Sequence, residues 1–425
     1  MNSTAAKYPH VAIVGAGFAG LTLAKHLRKK RFSVTLIDKN NYHQFAPLFY
    51  QVATAQLEPS AILFPLRKEV KPFPRNRFLM AEVQGVEAGN SVLKTSAGDV
   101  HYDYVVFSAG TDTNFFGMQG VQQNAFGMKS VSEALAIRNH ILQLLEQASY
   151  TDNSEEYRRL LNIVVVGGGP TGVELAGALG EMKRYILRRD YPAIQPDDLR
   201  IMLVEGKQRL LSAMSEKSGL RAQRYLTGLG VELMLGKTVA DYDGKTLALT
   251  DGQTVDTYTV IWGSGVTCGR IRGIDDALYQ RGNRLPVDEH GKLQGSGNVF
   301  ILGDNALQTE PAYPNGHPQV APVAVQQAKQ LAKNLGRMQK GKPLKPFRYK
   351  NKGTMAIVGK NRAVADIGKL HFGGFVAWCM WLFIHLFSII GFKNRLLVVM
   401  DWAFSYFSND ASLRLIIRPK IREKK

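Results

Sequence analysis

The sequence predicts an α/β fold in which two parallel β-sheets, each covered by helices, occupy different parts of one chain. Two observations predict it. An apolar strand that begins near Val11 passes into a glycine-rich turn and then a helical pattern, and the same pattern returns at Asn162. Each turn has glycines at its first, third and sixth positions, a spacing typical of turns that bind dinucleotide phosphates. One such motif is weak support, but two between matching elements are strong support.

The first turn consists of Gly15, Ala16, Gly17, Phe18, Ala19 and Gly20. Its glycines allow a tight turn, a close approach of the backbone to a pyrophosphate, and close packing of the following helix. The phosphates would lie at the N-terminus of that helix, where free N–H groups and the dipole favour anions. The next strand ends in Asp38 and Lys39, and an acidic residue there suits a ribose diol. This pattern predicts a Rossmann-like dinucleotide site; the alternative is a βαβ turn without a ligand.

Bulk properties limit the class of protein. A chain of 425 residues is long enough for two or three domains, and its net charge of +19 indicates anionic partners such as nucleotides or an acidic membrane surface. The cysteines, Cys268 and Cys379, are too far apart for a Cys-x-x-Cys redox pair, and the histidines lack metal-ligand spacing. No metal site and no nucleic-acid partner are predicted. The polar first ten residues leave no room for a signal peptide, so we expect a cytoplasmic catalytic part.

The segment between the two turns contains three recognisable patterns. Short runs with turn signals from Phe78 to Tyr102 predict a small antiparallel insertion, and the strand Tyr104–Phe107 leads into Ala109 and Gly110. Residues 131–148 have helical spacing, and the polar residues 150–159 are interpreted as a connector. The aromatic stretch 41–51 is interpreted either as a domain seam or as part of the wall around a flavin or quinone.

The second turn carries Gly167, Gly169, Thr171 and Gly172 between a strand at 162–166 and a helix predicted at 173–187. The following strand, 200–204, ends at Glu205, the counterpart of Asp38. A carboxylate at this position accepts hydrogen bonds from the ribose diol and repels a 2′-phosphate, which favours NADH over NADPH. Lys207 and Arg209 lie nearby in sequence and weaken this preference. Two nucleotide sites suggest a bound flavin in one and a diffusing nicotinamide in the other.

A strand at 299–302 runs into Gly303 and Asp304, and here the sequence resembles the flavoprotein reductases with two dinucleotide-binding domains. The resemblance implies FAD in the first site and NADH in the second, although Asp304 could equally cap the next helix. The residues that it assigns to FAD are Gly15, Ala16, Gly17, Phe18, Ala19, Gly20, Asp38, Lys39, Val83, Ala109, Gly110, Gly303, Asp304 and Ala324. Those assigned to NADH are Gly167, Gly169, Thr171, Gly172, Glu205 and Gly265.

Within that group the chain resembles the type II NADH dehydrogenases, single-chain NADH:quinone oxidoreductases of membranes. Residues 321–327 are similar to the family's Ala-Gln-x-Ala-x-Gln quinone signature, although Pro322 replaces the first Gln. The resemblance implies that Lys352 lies at the polar edge of the flavin and that Glu174 takes part in the proton path. The alternatives are an exposed lysine and a carboxylate that complements a helix dipole. The residues implied at the quinone are Gln51, Pro322, Gln326 and Met355.

The C-terminal region predicts membrane association. Residues 375–391 contain no acidic side chain and no Lys or Arg, and a second apolar run covers residues 396–407. The first run would form a helix of about 25 Å, shorter than the roughly 30 Å of a bilayer core. We therefore expect two helices that lie in the interface, with a basic tail on anionic lipid. A dimer interface or a core helix is the alternative. The basic residues of the tail are Arg414, Arg418, Lys420, Arg422, Lys424 and Lys425.

Together these patterns and the resemblance to the type II NADH dehydrogenases imply an oxidoreductase that passes a hydride from NADH to FAD and two electrons to a membrane quinone, without proton pumping. It would be peripheral to the cell membrane on the cytoplasmic side, and the sequence does not decide whether it forms the family's homodimer. The predicted division is FAD domain 1–118 and 286–335, connector 119–160, NADH domain 161–285, quinone and flavin-edge segment 336–370, and membrane-anchoring helices 371–425. A sulfide:quinone oxidoreductase would need cysteines near the flavin, and a non-catalytic NADH sensor would be expected to lose glycines from one turn.

Overall fold

The computed structural model describes residues 8–70, 75–410 and 413–416; of the predicted basic tail, only Arg414 lies within the described residues. The α-helices are α1 (Phe18–Leu27), α2 (Phe49–Ala53), α3 (Leu66–Val70), α4 (Gln119–Asn124), α5 (Val131–Ala148), α6 (Ser154–Leu161), α7 (Pro170–Met182), α8 (Arg188–Asp190), α9 (Glu216–Thr227), α10 (Ala321–Met338), α11 (Gly374–Ser388) and α12 (Phe392–Ser408).

The strands are short, as parallel sheets between helices and small hairpins require. They are β1 (His10–Val14), β2 (Ser33–Asp38), β3 (Tyr42–Gln44), β4 (Leu63–Pro65), β5 (Asn76–Met80), β6 (Val83–Glu87), β7 (Val92–Thr95), β8 (Gly98–His101), β9 (Tyr104–Phe107), β10 (Asp112–Thr113), β11 (Asn162–Val166), β12 (Arg200–Glu205), β13 (Val231–Leu235), β14 (Val239–Tyr242), β15 (Thr246–Leu249), β16 (Thr254–Asp256), β17 (Thr259–Trp262), β18 (Val266–Thr267), β19 (Leu285–Pro286), β20 (Val299–Ile301), β21 (Ala306–Leu307), β22 (Thr354–Gly359), β23 (Arg362–Ile367) and β24 (Leu370–Gly373).

The chain forms two compact units. The first contains Met1–His43, Phe64–Asp112 and Val266–Asn351; the second contains Gln44–Leu63, Thr113–Gly265 and Lys352–Lys425. Each unit therefore collects segments that are distant in sequence.

The first unit is built on a parallel sheet with strand order β20-β9-β1-β2-β5. The strands β20, β9, β1 and β2 are mostly buried and rich in Val, Ile, Leu and Phe, as expected where helices cover both faces, whereas the edge strand β5 buries only Phe78. Strand β20 pairs in parallel with β9, with Val299 opposite Val105, so the sheet takes its last strand from far along the chain. The predicted interruption of the first domain by the second is confirmed. The antiparallel insertion is also present, as the sheet β6-β7-β8.

The second unit repeats this arrangement with a parallel sheet of order β13-β12-β11-β17. Strand β11 pairs with β12 and β17, which places the end of β11 at the middle of the sheet. Helix α7 begins with Pro170 in its first turn, a position where the missing N–H costs nothing. It starts three residues earlier than predicted and is followed by a π-helical turn, Lys183–Leu187.

The C-terminal part of the second unit is an antiparallel sheet, β22-β23-β24, followed by α11 and α12. Helix α7 packs directly on β22, because position 177 is glycine: a Cβ atom there would lie 2.1 Å from the Val358 carbonyl oxygen. The two predicted apolar runs form α11 and α12. Among the described residues, no helix is both long enough and apolar enough to cross a membrane.

The polar segment after residue 150, interpreted as a connector, contains α6. Asn153 caps this helix by accepting hydrogen bonds from the N–H groups of Glu155 and Glu156. Sequence periodicity did not indicate the helix because only Leu160 and Leu161 are buried on it.

Replacement of Gly20 by alanine tests the close packing of α1. Alanine favours a helix over glycine by about 1 kcal/mol, but a Cβ at position 20 would lie 1.9 Å from the Gly15 carbonyl oxygen. Overpacking costs about 1–3 kcal/mol or more, so the clash should prevail. We expect Gly20→Ala to lower the thermal unfolding midpoint, and Gly89→Ala, which meets nothing within 4 Å, to leave it unchanged. Equal midpoints for the two variants would contradict this account.

Candidate active site

The first glycine turn forms an open cradle at the N-terminus of α1. Gly15 has φ +91°, and a Cβ there would lie 2.4 Å from the Ser108 carbonyl oxygen. Gly17 is the N-cap of α1 without a side-chain cap, and a Cβ at this position would meet nothing within 4 Å. Ala16, Ala19 and Gly20 are buried beneath the turn, and Phe18 is half-buried. The turn therefore leaves backbone N–H groups facing open space, which fits the phosphates of a dinucleotide.

Asp38 holds this turn in shape. Its carboxylate accepts hydrogen bonds from the N–H groups of Ala16, at 2.7 Å, and Asn40, at 2.8 Å. Burial raises the pKa of the Asp38 carboxyl, while the two N–H donors and the Lys39 charge oppose the rise. Lys39 itself is exposed, and Val83 is half-buried against the core of the first unit. The carboxylate thus has a structural role in addition to the predicted contact with a ribose.

Asn305 joins the other two segments predicted for FAD. The Gly110 N–H donates to Asn305 Oδ1 at 2.9 Å, and Asn305 Nδ2 donates to the Gly110 carbonyl at 3.1 Å. Thr111 Oγ1 donates to Asp304 Oδ2 at 3.4 Å. The structure therefore brings the segment of Ala109 and Gly110 together with that of Gly303 and Asp304.

Buried Gln327 fixes the turn at Gly303 from the opposite side. The Gly303 N–H donates to Gln327 Oε1 at 2.7 Å, and Gln327 Nε2 donates to Gln308 Oε1 at 2.9 Å. Ala324 is buried next to the same turn, 3.4 Å from where a Cβ of Gly303 would be. The first unit thus contains a cradle assembled from five segments of the chain, with a small-residue surface that fits FAD.

The second turn repeats the first in detail. Gly167 has φ +111°, a Cβ at Gly172 would lie 1.8 Å from the Gly167 carbonyl oxygen, and a Cβ at Gly169 would meet nothing within 4 Å. Gly169 is the uncapped N-cap of α7, and Thr171 is exposed in its first turn. This cradle also fits the phosphates of a dinucleotide.

Glu205 clamps the second turn as Asp38 clamps the first. Its carboxylate accepts hydrogen bonds from the N–H groups of Gly168, at 2.5 Å, and Lys207, at 2.9 Å. The nearby cations have partners in their own loop: Lys207 Nζ donates to Ser212 Oγ, and Arg209 donates to the carbonyls of Ser212 and Met214. Both facts support a site for a free ribose diol. Gly265 is exposed, with φ +76°.

A cavity of ≈ 480 Å³ lies within the second unit. Its wall is mostly apolar and is supplied by α2, α7 with its π-helical turn, the end of β22, α11 and α12. The lining residues are Tyr50, Gln51, Gln56, Glu174, Ala178, Glu181, Met182, Tyr185, Ile186, Ile357, Gly359, Lys360, Trp378, Cys379, Leu382, Phe383, Leu386, Val399, Trp402, Ala403, Ser405, Tyr406, Phe407 and Asn409. An apolar cavity with few polar groups is typical of a site for a largely apolar ligand.

Glu174 is a carboxyl on this apolar wall. The Ile357 N–H donates to its Oε1 at 3.4 Å. Burial raises the pKa of the Glu174 carboxyl to about 8, since a charged carboxylate is poorly solvated here and the N–H donor offsets only part of the cost. A pKa of about 8 leaves most of this group protonated at pH 7, so it has a proton that it can donate.

Gln51 takes part in a polar chain at the buried end of the cavity. Trp402 Nε1 donates to Gln51 Oε1 at 2.9 Å, and Gln51 Nε2 donates to the Tyr50 hydroxyl at 2.9 Å. Behind them, fully buried Trp381 stacks on His385 with ring centroids 3.9 Å apart. Burial lowers the pKa of His385 to about 4, so this ring is neutral. The aromatic residues give the cavity a rigid wall at this end.

The other residues predicted for the quinone and the flavin edge lie outside this lining. Met355 is a half-buried residue of β22, and Pro322 is exposed in the first turn of α10. The Gln326 side chain donates to the Lys350 carbonyl and accepts from the Lys350 N–H, each at 3.0 Å. Lys352 is exposed just before β22.

Sequence reasoning missed four residues that shape these sites: Asn305, Gln327, Glu181 and Trp402. Glu181 was detectable, because its spacing of seven from Glu174 places two carboxyls on one face of a predicted helix. The contacts of the other three join segments that are distant in sequence, and no local pattern marks them.

Family models match most of the chain. The model of the pyridine nucleotide-disulphide oxidoreductases matches residues 9–328, and that of the NDH2 C-terminal domain matches residues 351–409. The second match covers β22 to α12, which supply much of the cavity wall.

Individual relatives agree with these matches. The chain is 34% identical to the type II NADH:quinone oxidoreductase NdhA of Mycobacterium tuberculosis, over 93% of this chain and 87% of the relative. It is also 34% identical to Ndh, a type II NADH:quinone oxidoreductase of the same organism, over 94% of this chain and 88% of the relative. The solved structure of NDH2 from Plasmodium falciparum in complex with NADH covers 97% of this chain and 100% of its own, with a TM-score of 0.89 and 19% identity.

At 19% identity, the similarity to the solved structure establishes only the fold. The family is established by the sequence relatives and the family models. The glycine turns, the carboxylate clamps and the cavity described above occur in a chain that matches these models over nearly its whole length. The chain belongs to the pyridine nucleotide-disulphide oxidoreductases and, among them, to the type II NADH:quinone oxidoreductases.

Proposed function

We propose that this protein oxidises NADH and reduces a membrane quinone without pumping protons. The observation that carries the proposal is the apolar cavity with a neutral carboxyl, Glu174, on a helix whose N-terminus forms a dinucleotide cradle. FAD bound in the first cradle would supply the chemistry of hydride acceptance from NADH and of two-electron transfer to the quinone. The protein supplies binding, orientation and a proton.

Each cradle would hold one of the two cofactors. In the first unit the turn from Gly15 to Gly20, the Asp38 carboxylate and the segments at Gly110 and Asp304 would hold FAD. In the second, the turn from Gly167 to Gly172 and Glu205 would hold NADH, with Gly265 nearby in the same unit. This corresponds to an FAD domain at 1–118 and 286–335 and an NADH domain at 161–285, linked by residues 119–160.

Glu174 would donate a proton to a quinone oxygen. Its carboxyl lines the cavity and is protonated at pH 7, which suits a general acid. Gln51, with Tyr50 and Trp402, would orient the quinone ring at the buried end. Pro322, Gln326 and Met355 remain proposed quinone residues, and Lys352 a proposed cation for the flavin edge, within the segment 336–370.

The C-terminal helices would bind a lipid surface. Many of their exposed side chains are large and apolar, among them Phe392 at 81% exposure, Phe404 at 54% and Phe407 at 83%. An apolar surface of this kind marks an interaction site, here a membrane on the cytoplasmic side that also supplies the quinone. The net charge of +19 favours anionic lipid. The alternative is that residues 371–425 form a homodimer interface instead of a lipid-binding surface.

A sulfide:quinone oxidoreductase is the second candidate, because it would use the FAD cradle and the apolar cavity. It would need a set of cysteines near the flavin. Since the chain has only Cys268 and Cys379, NADH is the favoured donor.

The proposed activity predicts a yellow protein that oxidises NADH rapidly only when a short-chain quinone is present. The measurement is the flavin spectrum of the purified protein, with NADH consumption followed at 340 nm, roughly the nicotinamide absorption maximum, with and without quinone. Sulfide in place of NADH serves as the control donor and should not reduce the quinone. A colourless protein after reconstitution with FAD, or NADH oxidation that is indifferent to quinone, would contradict the proposal.

Glu174→Gln should retain FAD and reduction by NADH but slow quinone reduction by about 10²-fold or more, the usual contribution of a general acid. In the wild type, quinone reduction should fall as the pH rises through about 8, because the protonated carboxyl is the donor. The variant should lack this dependence. Glu155→Gln, an exposed site on α6, is the matched control. Wild-type turnover by Glu174→Gln would remove this residue from the mechanism.

The lipid surface can be tested with the double variant Phe392→Glu/Phe404→Glu. Both side chains are exposed and neither lines the cavity, so folding and reduction by NADH should persist while binding to vesicles with phosphatidylglycerol is lost. Tyr150→Glu, at a site 74% exposed outside these helices, is the control. If the double variant still bound vesicles but sedimented as a monomer where the wild type is a dimer, the surface would be a dimer interface instead.

A further inference from the structure

A second carboxyl, that of Glu181, faces the same cavity two helical turns beyond Glu174. Seven residues of α-helix separate them by about 10 Å along the axis and leave them on one face. The residue between them on this face is Ala178, whose methyl group also lines the cavity. Because the intervening side chain is so small, open space connects the two carboxyls along the wall.

The fold makes room for Glu181 at the end of β22. The Lys360 N–H donates to Glu181 Oε1. Gly359 has φ +153°, and a Cβ at that position would lie 2.8 Å from the same carboxyl oxygen. A larger residue would therefore displace the carboxyl, so its position depends on the glycine.

The Lys360 ammonium is held by α12 rather than paired with Glu181. Its Nζ donates to the Tyr406 carbonyl at 2.5 Å and to Asn409 Oδ1 at 2.8 Å, and it lies 4.3 Å from the centroid of the Tyr406 ring. The carbonyl end of a helix attracts a cation, which explains this placement. No salt bridge to Glu181 was found among the described residues, so the carboxyl has a backbone donor without a full counter-ion.

Burial raises the pKa of Glu181 to about 7, and the Lys360 N–H together with the charges of Arg362 and Lys360 opposes the rise. At neutral pH the group is thus present in both protonation states. The other titratable groups that face it or share its cavity are Glu174, Tyr50, Tyr185, Cys379 and Tyr406.

The residues around the two carboxyls differ in exposure. Glu174 shares its end of the cavity with Tyr50 and Gln51, which are 4% and 5% exposed. Beyond Glu181 the wall continues with Tyr185, which is 39% exposed, and with exposed Asn409. Water therefore reaches the Glu181 end more readily than the Glu174 end.

We propose that Glu181 is the outer carboxyl of a two-residue relay that carries a proton from bulk water to Glu174 during quinone reduction. This inference rests on the proposed function. The overall reaction, NADH + H⁺ + quinone → NAD⁺ + quinol, oxidises NADH by two electrons, reduces the quinone by two, and takes one proton from water.

In the relay, the Glu174 O–H bond breaks as an O–H bond forms on the quinone. The Glu181 O–H bond then breaks, through water in the cavity, as Glu174 is protonated again, and bulk water reloads Glu181. The reaction sets the direction of net transfer, because each quinone reduction removes the proton of the inner group, Glu174, and bulk water resupplies it through Glu181.

Glu181→Gln tests the relay, because a Gln amide oxygen still accepts from the Lys360 N–H but the side chain cannot carry a proton. We expect quinone turnover at pH 7.5 to fall by about tenfold or more, with a larger solvent deuterium isotope effect than in the wild type. Turnover with ferricyanide, which takes electrons without protons, should be unchanged. Glu181→Asp should recover part of the quinone activity, and Glu155→Gln should match the wild type.

Three other outcomes would each contradict the relay, and each has a different meaning. Wild-type quinone turnover by Glu181→Gln, beside a slow Glu174→Gln, would remove Glu181 and leave the proposed function intact. An equal fall with ferricyanide and quinone would assign Glu181 a purely structural role. Failure of the wild-type protein itself to reduce quinone would refute the proposed function, and the relay with it.

Discussion

The close packing of α7 on β22 is the constraint on which the second unit depends. Gly177 permits it, since any side chain there would meet the Val358 carbonyl. The same helix presents its N-terminus to the nucleotide cradle and its face, with Glu174 and Glu181, to the cavity. In the proposed mechanism, one rigid helix would therefore bind phosphate at its N-terminus and position the proton-carrying carboxyls along its side. Proton transfer requires a precisely positioned donor, because a small displacement of the donor from the acceptor lowers the rate.

The two cradles have the same arrangement of a glycine turn and a carboxylate, and the first cradle has further contacts in addition. In each, a carboxylate at the end of the second strand accepts an N–H from the glycine turn and another from the residue two positions after itself. The first cradle has additional hydrogen bonds, in which Asn305 and Gln327 tie the segments at Gly110 and Gly303 in place. A cradle assembled from several distant segments suits a cofactor that stays bound, whereas the simpler second cradle suits one that exchanges.

The features that depend only on a few adjacent residues could be predicted from the sequence. The glycine spacings, the strands around them and the acidic residues at Asp38 and Glu205 depend on a few adjacent residues, and the structure has them where predicted. Strand β20 and the two C-terminal helices were also anticipated, from a turn motif and from apolar runs. The cavity was not, because its wall joins α2, α7, β22, α11 and α12, and no single segment reveals that juxtaposition. For the same reason Gln51 was assigned to a quinone site without its partners Tyr50 and Trp402.

The apolar wall and the carboxyls on it are best understood together. A site for a hydrophobic quinone must exclude charge, yet reduction of the quinone needs a proton delivered to its oxygen. Burying a carboxyl satisfies both demands, because desolvation disfavours the anion and keeps the group protonated at neutral pH. Glu174 has this property through its surroundings rather than through a partner charge, and an ammonium beside it would abolish the effect. The Lys360 ammonium is bound by the end of α12, and its charge offsets only part of the rise that burial causes in the pKa of Glu181.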